Sequence, residues 1–216
     1  MSAVESFGAG RDDIQGSKFK KYRGKTGNTD RVGIIYYEDN PKTMFKGVKS
    51  HFKDRFFVCK SSSTNREICC LHSYDRNKPE YRVGCALVKY ELRKKDGKTK
   101  LASYEVLPWI FSAKMYHKID AVDGEFKLVE HDLNLACINE DFQTIEVTPC
   151  KESIWQGSPD LKKKIIEEAE GIIEDVGRNL ASDLSLTEIR ELLGIDAPGS
   201  EDAATDIDLG SVVEDL

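Results

Sequence analysis

The residues best suited to chemistry are two histidines and two cysteines in the first half of the chain. They are His51, Cys59, Cys69 and His72, spaced as His-x7-Cys-x9-Cys-x2-His. Zinc takes four nitrogen or sulfur ligands in a tetrahedron, and a Cys-x2-His step lets one tight turn present two of them. Because four protein ligands leave no open position, the pattern predicts one structural Zn²⁺ rather than a catalytic one.

Alternatives to this ligand set stay open. Cys70 competes with Cys69, although a Cys-x-His step is a poor bite for one ion. His51 is the weakest member, and Cys85 could replace it. A cluster of buried free thiols beside an incidental surface histidine is the remaining interpretation. Adjacent cysteines fit a disulfide framework badly and no apolar leader opens the chain, so we expect a reducing cytoplasm.

Basic and aromatic residues alternate between positions 18 and 155. Proteins hold single-stranded nucleic acid with cations along its phosphates and with aromatic rings stacked on its unpaired bases. Each stack contributes roughly 1–3 kcal/mol whatever the base. Many aromatics of a β-rich domain belong to its core, but polar or turn residues flank Tyr81, Trp109 and Trp155. The predicted contacts are Lys20, Lys21, Arg23, Tyr74, Arg76, Tyr81, Arg82, Arg93, Lys94, Trp109 and Trp155.

Charge is distributed unevenly along the chain. Residues 18–100 hold 22 Lys or Arg against 9 Asp or Glu, whereas residues 101–216 hold 9 against 26. This asymmetry predicts that the basic residues 18–100 bind a polyanion, whereas residues 101–216 are rich in carboxylates.

Other function classes lack their signatures. No uncharged apolar run approaches the roughly 18 residues that span a bilayer, so we expect a soluble protein. The chain has no GxxxxGK(S/T), no GxGxxG and no His-Glu-x-x-His motif, and no compact acidic set suggests a two-metal nuclease. We therefore expect a binding protein rather than an enzyme.

Short strand patterns dominate the chain up to about residue 155. Strands are predicted over 32–37, 56–59, 81–92, 100–107, 126–129 and 142–147, and a helix over 111–122. The Asp-Gly pair at 96–97 predicts a tight hairpin turn. This order has no β-α-β rhythm and favours an α+β, mainly β fold with an OB-like Greek-key barrel core.

Composition divides the chain into four parts. Residues 1–17 are predicted to form a flexible arm, 18–156 the core with a zinc-stapled subdomain at about 46–80, 157–197 a small helical segment, and 198–216 a disordered acidic tail. The first helix is predicted to begin with Ser158 and Pro159. The second is predicted over 186–193, with Ser185 as N-cap, Glu188 three residues later and Gly194 at its end.

Three motifs contain the predicted zinc ligands. They are Ser50-His51-Phe52-Lys53, then Phe56-Phe57-Val58-Cys59-Lys60-Ser61-Ser62-Ser63-Thr64, then Cys69-Cys70-Leu71-His72. Together they resemble the single-stranded-DNA-binding, helix-destabilising proteins of T-even-type bacteriophages, over residues 25–156 and the last dozen residues. The resemblance implies a zinc site in which His72 stands where the family has its last Cys. The gap from His51 to Cys59 is several residues shorter than in the family.

A second match is Phe111-Ser112-Ala113-Lys114-Met115-Tyr116-His117-Lys118-Ile119-Asp120-Ala121, which is similar to the family's helix after its central strands. In that register Trp109 falls where the family stacks a base on Tyr, and Trp155 falls at another aromatic of the cleft. The resemblance also implies that Tyr81 and Arg82 line this cleft, and it adds Lys114 as a DNA contact.

The chain ends in an acidic segment, residues 201–216, with six acids and no base. It is similar to the family's Leu-ended tail, which implies recruitment of replication and recombination proteins (polymerase, helicase loader, recombinase) and competition with DNA for the cleft. The residues implied are Asp206, Asp208, Glu214, Asp215 and Leu216. The family's basic arm is nearly absent, since residues 1–17 offer only Arg11, so we expect a monomer or weak self-association on DNA.

The expected function is sequence-independent binding of single-stranded DNA during phage replication, recombination and repair. A zinc-containing RNA-binding or transcription-regulatory protein fits the charge and the aromatics equally, but it fits the Leu-ended tail less well. A nuclease with a zinc-supported domain is disfavoured by the missing acidic cluster.

Overall fold

The computed structural model describes residues 20–37, 43–53, 55–61, 78–139 and 144–194. Cys69, Cys70, His72, Tyr74 and Arg76, the N-terminal arm and the acidic tail lie outside these residues. Within the described part, the elements in chain order are β1 (Thr29–Ile34), β2 (Lys46–Phe52), β3 (Phe56–Val58), β4 (Glu80–Lys95), β5 (Lys98–Ser112), α1 (Ala113–Glu125), β6 (Leu133–Cys137), β7 (Ile145–Pro149), α2 (Pro159–Asn179) and α3 (Leu186–Leu193).

Strand β4 lies at the centre of one antiparallel sheet. One edge of β4 pairs with β5 along nearly its whole length, and the other edge pairs first with β2 and then with β1. From there the sheet continues through β1 to β6 and β7, and through β2 to β3. The fold is thus α+β and mainly β, consistent with a barrel-like core.

The segment 20–28 lies between β5 and β6, two strands that do not pair with each other in the described sheet. The Tyr22 N–H donates to the Pro108 carbonyl of β5 over 2.8 Å. Further along, the Gly27 N–H donates to the Cys137 carbonyl of β6 over 3.0 Å. The segment therefore bridges the gap between these strands and holds the first cations of the described chain against the sheet.

The turn between β4 and β5 is the predicted Asp-Gly turn. Asp96 and Gly97 have positive φ values of 53° and 72°, as a two-residue type I′ hairpin requires. Both strands are longer than predicted, since the pairing runs from Arg82 opposite Ser112 to Lys95 opposite Lys98.

Helix α2 packs against β4 and β5. Its apolar residues Ile165, Ala169 and Val176 are fully buried. A side chain at Gly84 of β4 would place its Cβ 2.6 Å from Val176 Cγ1, so the close approach of α2 requires glycine there. Ile165 and Ala169 belong to the main core. No described helix is long and apolar enough to cross a membrane.

One predicted strand is wrong, and one strand of the structure was not predicted. Residues 126–129 form a turn rather than a strand, because the Leu128 N–H donates to the Asp123 carboxylate over 2.8 Å as α1 ends. Strand β2 was not predicted, because its sequence, KGVKSHF, alternates poorly. Its buried positions are Ser50 and His51 rather than aliphatic residues.

Candidate nucleic-acid interface

A groove of about 780 Å³ opens where segment 20–28, the end of β5 and the start of α1 meet. We call it the cationic groove. Its lining combines three cations, one acid, and apolar and neutral polar groups: Lys21, Arg23, Lys114, Glu80, Tyr22, Gly24, Trp109, Ile110, Phe111, Ser112, Met115, Asn139, Thr144 and Ile145. The structure thus brings the predicted contacts Lys21, Arg23 and Lys114 together, although they are about 90 residues apart in the chain.

Tyr22 fixes the strand that carries two of these cations. Its ring is 5% exposed and meets Trp109 edge-on at 5.7 Å, and its hydroxyl donates to Asp30 Oδ2 over 3.1 Å. Burial, reinforced by Asp30, raises the pKa of Tyr22, so the hydroxyl stays protonated. Both neighbours of an inward residue in an extended segment point away from the core, so Lys21 and Arg23 point outward.

Positive charges in the groove act on one another. Burial lowers the pKa of Lys21, and the charges of Arg23 and Arg82 lower it further. Like charges held this close favour an anion among them, which would raise that pKa again. A polyanion such as a phosphate backbone supplies the complementary charge.

Tyr81 is an exposed ring next in the chain to the groove lining. It follows the lining residue Glu80 and is 56% exposed. The register sets Val83 opposite Phe111 and Cys85 opposite Trp109, so Tyr81 lies on the same sheet face as these two rings. An exposed phenol beside cations is suited to stack on an unpaired base.

Three further groups lie at the β2–β3 end but on the other face of the sheet, since Arg82 is the cross-strand partner of Val48 whereas Tyr81 is the partner of Lys49. The Arg82 guanidinium lies 3.5 Å from the centroid of the Phe56 ring, and Phe52 is 56% exposed with its ring 4.8 Å from that of Phe56. Sequence reasoning missed both phenylalanines. The criterion that selected Tyr81, an aromatic flanked by polar residues, would have found Phe52, which lies between His51 and Lys53.

The prediction that Trp109 and Trp155 stack on bases is wrong. Trp155 is fully buried and meets Tyr36 edge-on at 5.5 Å, so no face of its ring is accessible. Trp109 lines the groove but is only 4% exposed, because Tyr22 and Phe111 cover it at 5.7 and 4.4 Å. Trp109 supports the groove from within, whereas Trp155 belongs to the core beside Tyr36 and Gly33.

Three other predicted cations lie outside the groove. Lys20 forms an ion pair with Glu105 on β5. Arg93 and Lys94 lie near the β4–β5 turn, eleven and twelve residues along β4 from Arg82. At about 3.3 Å per residue this places them more than 30 Å from the groove end of the strand.

Two of the predicted zinc ligands lie together on the β2–β3 hairpin. His51 pairs with Phe57, and Cys59 follows two residues later, so His51 and Cys59 are diagonal neighbours on one face. His51 is fully buried and Cys59 is 9% exposed. Both side-chain types suit zinc and both lie where a metal would be shielded from water, so this half of the ligand set fits the ion.

The alternative ligand Cys85 lies elsewhere. It packs in the main core on β4, whereas Cys59 packs with Phe57 and Ile189 of α3 in a second, smaller cluster. Burial raises the pKa of the Cys85 thiol, which disfavours the thiolate that a metal requires. No group of three or more potential metal ligands occurs among the described residues, which do not include Cys69 and His72.

Comparisons of this chain with the profiles of known families, with curated proteins and with solved structures give no significant match.

Proposed function

We propose that this protein binds single-stranded DNA independently of sequence and has no catalytic activity of its own. Phosphates would follow Lys21, Arg23 and Lys114 through the cationic groove, and an unpaired base would stack on Tyr81. The observation that carries the proposal is the convergence of these three cations beside an exposed ring. Cations and stacking rings together are what a single strand requires.

Binding of this kind favours melted over paired strands, because stacking needs bases that are free of their partners. It therefore supports a role in protecting and melting strands during phage DNA replication, recombination and repair. The family resemblance favours DNA over RNA, since stacking and phosphate contacts serve both. The acidic tail, residues 198–216, would recruit replication and recombination proteins.

Two structural elements belong to the same proposal. The described sheet would be the core of an OB-type barrel, with segment 20–28 as part of its closure. One structural Zn²⁺ would be held by His51, Cys59, Cys69 and His72. That ion would tie the β2–β3 hairpin, which carries Phe52 and Phe56, to the chain that follows it.

Charge reversal tests the groove directly. Arg23→Glu combined with Lys114→Glu should weaken binding of a labelled oligo-dT at least about tenfold, measured by fluorescence anisotropy, because two phosphate contacts become repulsive. Lys163→Glu combined with Lys164→Glu, two exposed changes on α2 that alter the net charge equally, is the matched control and should leave affinity within about twofold. Equal losses in both variants would contradict the groove as the site.

Competition with RNA decides the alternative. Unlabelled oligo-U and unlabelled oligo-dT are each used to displace labelled oligo-dT from the protein. Displacement by oligo-U at a much lower concentration than by oligo-dT would favour the RNA-binding function.

A further inference from the structure

The hairpin formed by the ends of β4 and β5, residues 91–102, is a separate basic element, which we call the ribbon. Beyond Lys89 the described pairing of β4 is with β5 alone. Leu92 and Leu101 pack partly against the core, and from there the strands run out to the Asp96-Gly97 turn. The ribbon contains five bases and two acids.

Several basic side chains of the ribbon belong to residues that lie directly opposite each other on β4 and β5. Arg93 is the cross-strand partner of Lys100, and Lys95 is the partner of Lys98. Like charges directly opposite each other destabilise a strand pair. Arg93, Lys95 and Lys100 are exposed, and none of them joins the ion pairs found in the described part of the chain. A polyanion bound to the ribbon would relieve this repulsion.

A second groove, of about 680 Å³, lies beneath the ribbon, and we call it the ribbon groove. Its lining holds two cations and no acid: Thr29, Arg31, Tyr90, Leu92, Thr99, Asn134, Pro149, Cys150 and Lys151. Arg31 is fixed by Asp132 Oδ2 at 3.1 Å and by the Glu152 carbonyl at 2.7 Å. Because Asp132 offsets the charge of Arg31, the positive charge of this surface comes from the ribbon and Lys151.

The ribbon groove and the cationic groove are separate but neighbouring openings. Thr29 lines the ribbon groove and Gly24 lines the cationic groove, five residues apart, which is at most about 18 Å. The two surfaces would therefore contact adjoining stretches of nucleic acid.

The ribbon surface is not suited to unpaired bases. Residues 91–103 contain no aromatic, and Tyr90, the aromatic that lines the ribbon groove, is 5% exposed with its hydroxyl 3.4 Å from Asp132 Oδ1. Cations without stacking rings hold phosphates, and a duplex offers phosphates while its bases stay stacked on one another. A two-stranded β-ribbon also has the width that enters a major groove.

We propose that the ribbon and the ribbon groove bind the phosphates of double-stranded DNA adjoining the single strand, so that the protein binds best at junctions between single and double strands. This inference rests on the proposed function for its single-stranded part.

The test compares a dT tail alone with the same tail attached to a duplex, by fluorescence anisotropy at one salt concentration. Wild-type protein should bind the tailed duplex at least about threefold more tightly, and Arg93→Thr with Lys100→Thr should abolish that gain while leaving the dT affinity unchanged. Lys163→Thr with Lys164→Thr, which removes two charges from α2, should retain the gain. The ribbon variant should unfold at an equal or higher urea concentration, because it removes a like-charge pair.

The outcomes separate the two proposals. Equal wild-type affinity for both DNAs, or a ribbon variant that loses affinity for both alike, would overturn the junction proposal and leave the groove intact. Failure of wild-type protein to bind the dT tail would instead overturn the proposed function. Tight binding of an unrelated acidic polymer, equal to that of the tailed duplex, would show a general polyanion surface and would also overturn the junction proposal.

Discussion

Tyr81 and Trp109 lie on the same face of the β4–β5 strand pair, yet Tyr81 is 56% exposed and Trp109 is 4% exposed. The difference arises because segment 20–28 meets β5 at Pro108 and sets the Tyr22 ring against Trp109, whereas no segment among the described residues covers Tyr81 in this way. An aromatic row that begins in the core therefore ends in an accessible ring beside the cationic groove.

Tyr81→Ala should weaken binding of single-stranded DNA by about 1–3 kcal/mol, the worth of one lost base stack. Tyr81→Phe should retain most of the affinity, because a phenyl ring stacks nearly as well. Anisotropy titrations of oligo-dT measure both. A Tyr81→Phe variant as weak as Tyr81→Ala would show that the hydroxyl rather than the ring makes the contact.

Gly33→Ala should destabilise the fold by about 1–3 kcal/mol through overpacking. Its Cβ would lie 2.8 Å from Trp155 Cδ1 and 2.9 Å from both Asp132 Oδ1 and the Tyr90 hydroxyl. Urea unfolding measures the change in the free energy of unfolding. The matched control is Gly171→Ala in α2, whose Cβ would meet nothing within 4 Å and which should stabilise by about 0.5–1 kcal/mol. Similar effects of the two changes would contradict the packing around Trp155.

Glu188→Gln should reduce stability at neutral pH but not in acid. The side chain and backbone N–H of Ser185 bond the carboxylate and hold the pKa of Glu188 below its usual value. A folded-state pKa below the unfolded value gives stability that is present above the unfolded pKa, near 4.3, and is lost as the pH falls through the folded pKa. Urea midpoints of variant and wild type should therefore differ at about pH 7 and converge at about pH 2.5. A constant gap would refute this role of the capping box.

Cys59→Ser should remove bound zinc and lower the urea midpoint. The purified protein should carry one zinc per chain by atomic absorption, because the proposed site has four ligands. Cys150→Ser is the control, since Cys150 is a half-buried thiol of the ribbon groove, and it should keep its metal. Zinc-free wild-type protein, or equal zinc in both variants, would count against the site.

The helix caps and the hairpin turn could be predicted from the sequence, because each depends on residues that are close together in the chain. The capping box at Ser185 and Glu188, the αL Gly194 and the Asp96-Gly97 turn all act within a few residues, and the structure has each of them. Ser158 is at the N-cap of α2 as predicted, although its side chain makes no capping hydrogen bond.

Features that depend on tertiary packing escaped prediction. Trp155 has polar and small neighbours in sequence, yet Tyr36 and the close approach of Gly33 enclose it from distant parts of the chain. Strand β2 shows no apolar alternation in its sequence. Its pairing with β3 and β4 and the burial of His51 hold it in place instead. The cationic groove itself unites residues from segment 20–28, β5 and α1, which the family resemblance linked only in part.

The salt dependence of oligo-dT binding tests the central claim most directly. If the three cations of the cationic groove each neutralise a phosphate, log affinity should fall linearly with log salt with a slope of about −2 or steeper, at about −0.7 per contact. Oligo-dT and a mixed-sequence strand should give the same affinity within a few-fold. A slope near zero, or tighter binding of a blunt duplex than of the single strand, would contradict the account.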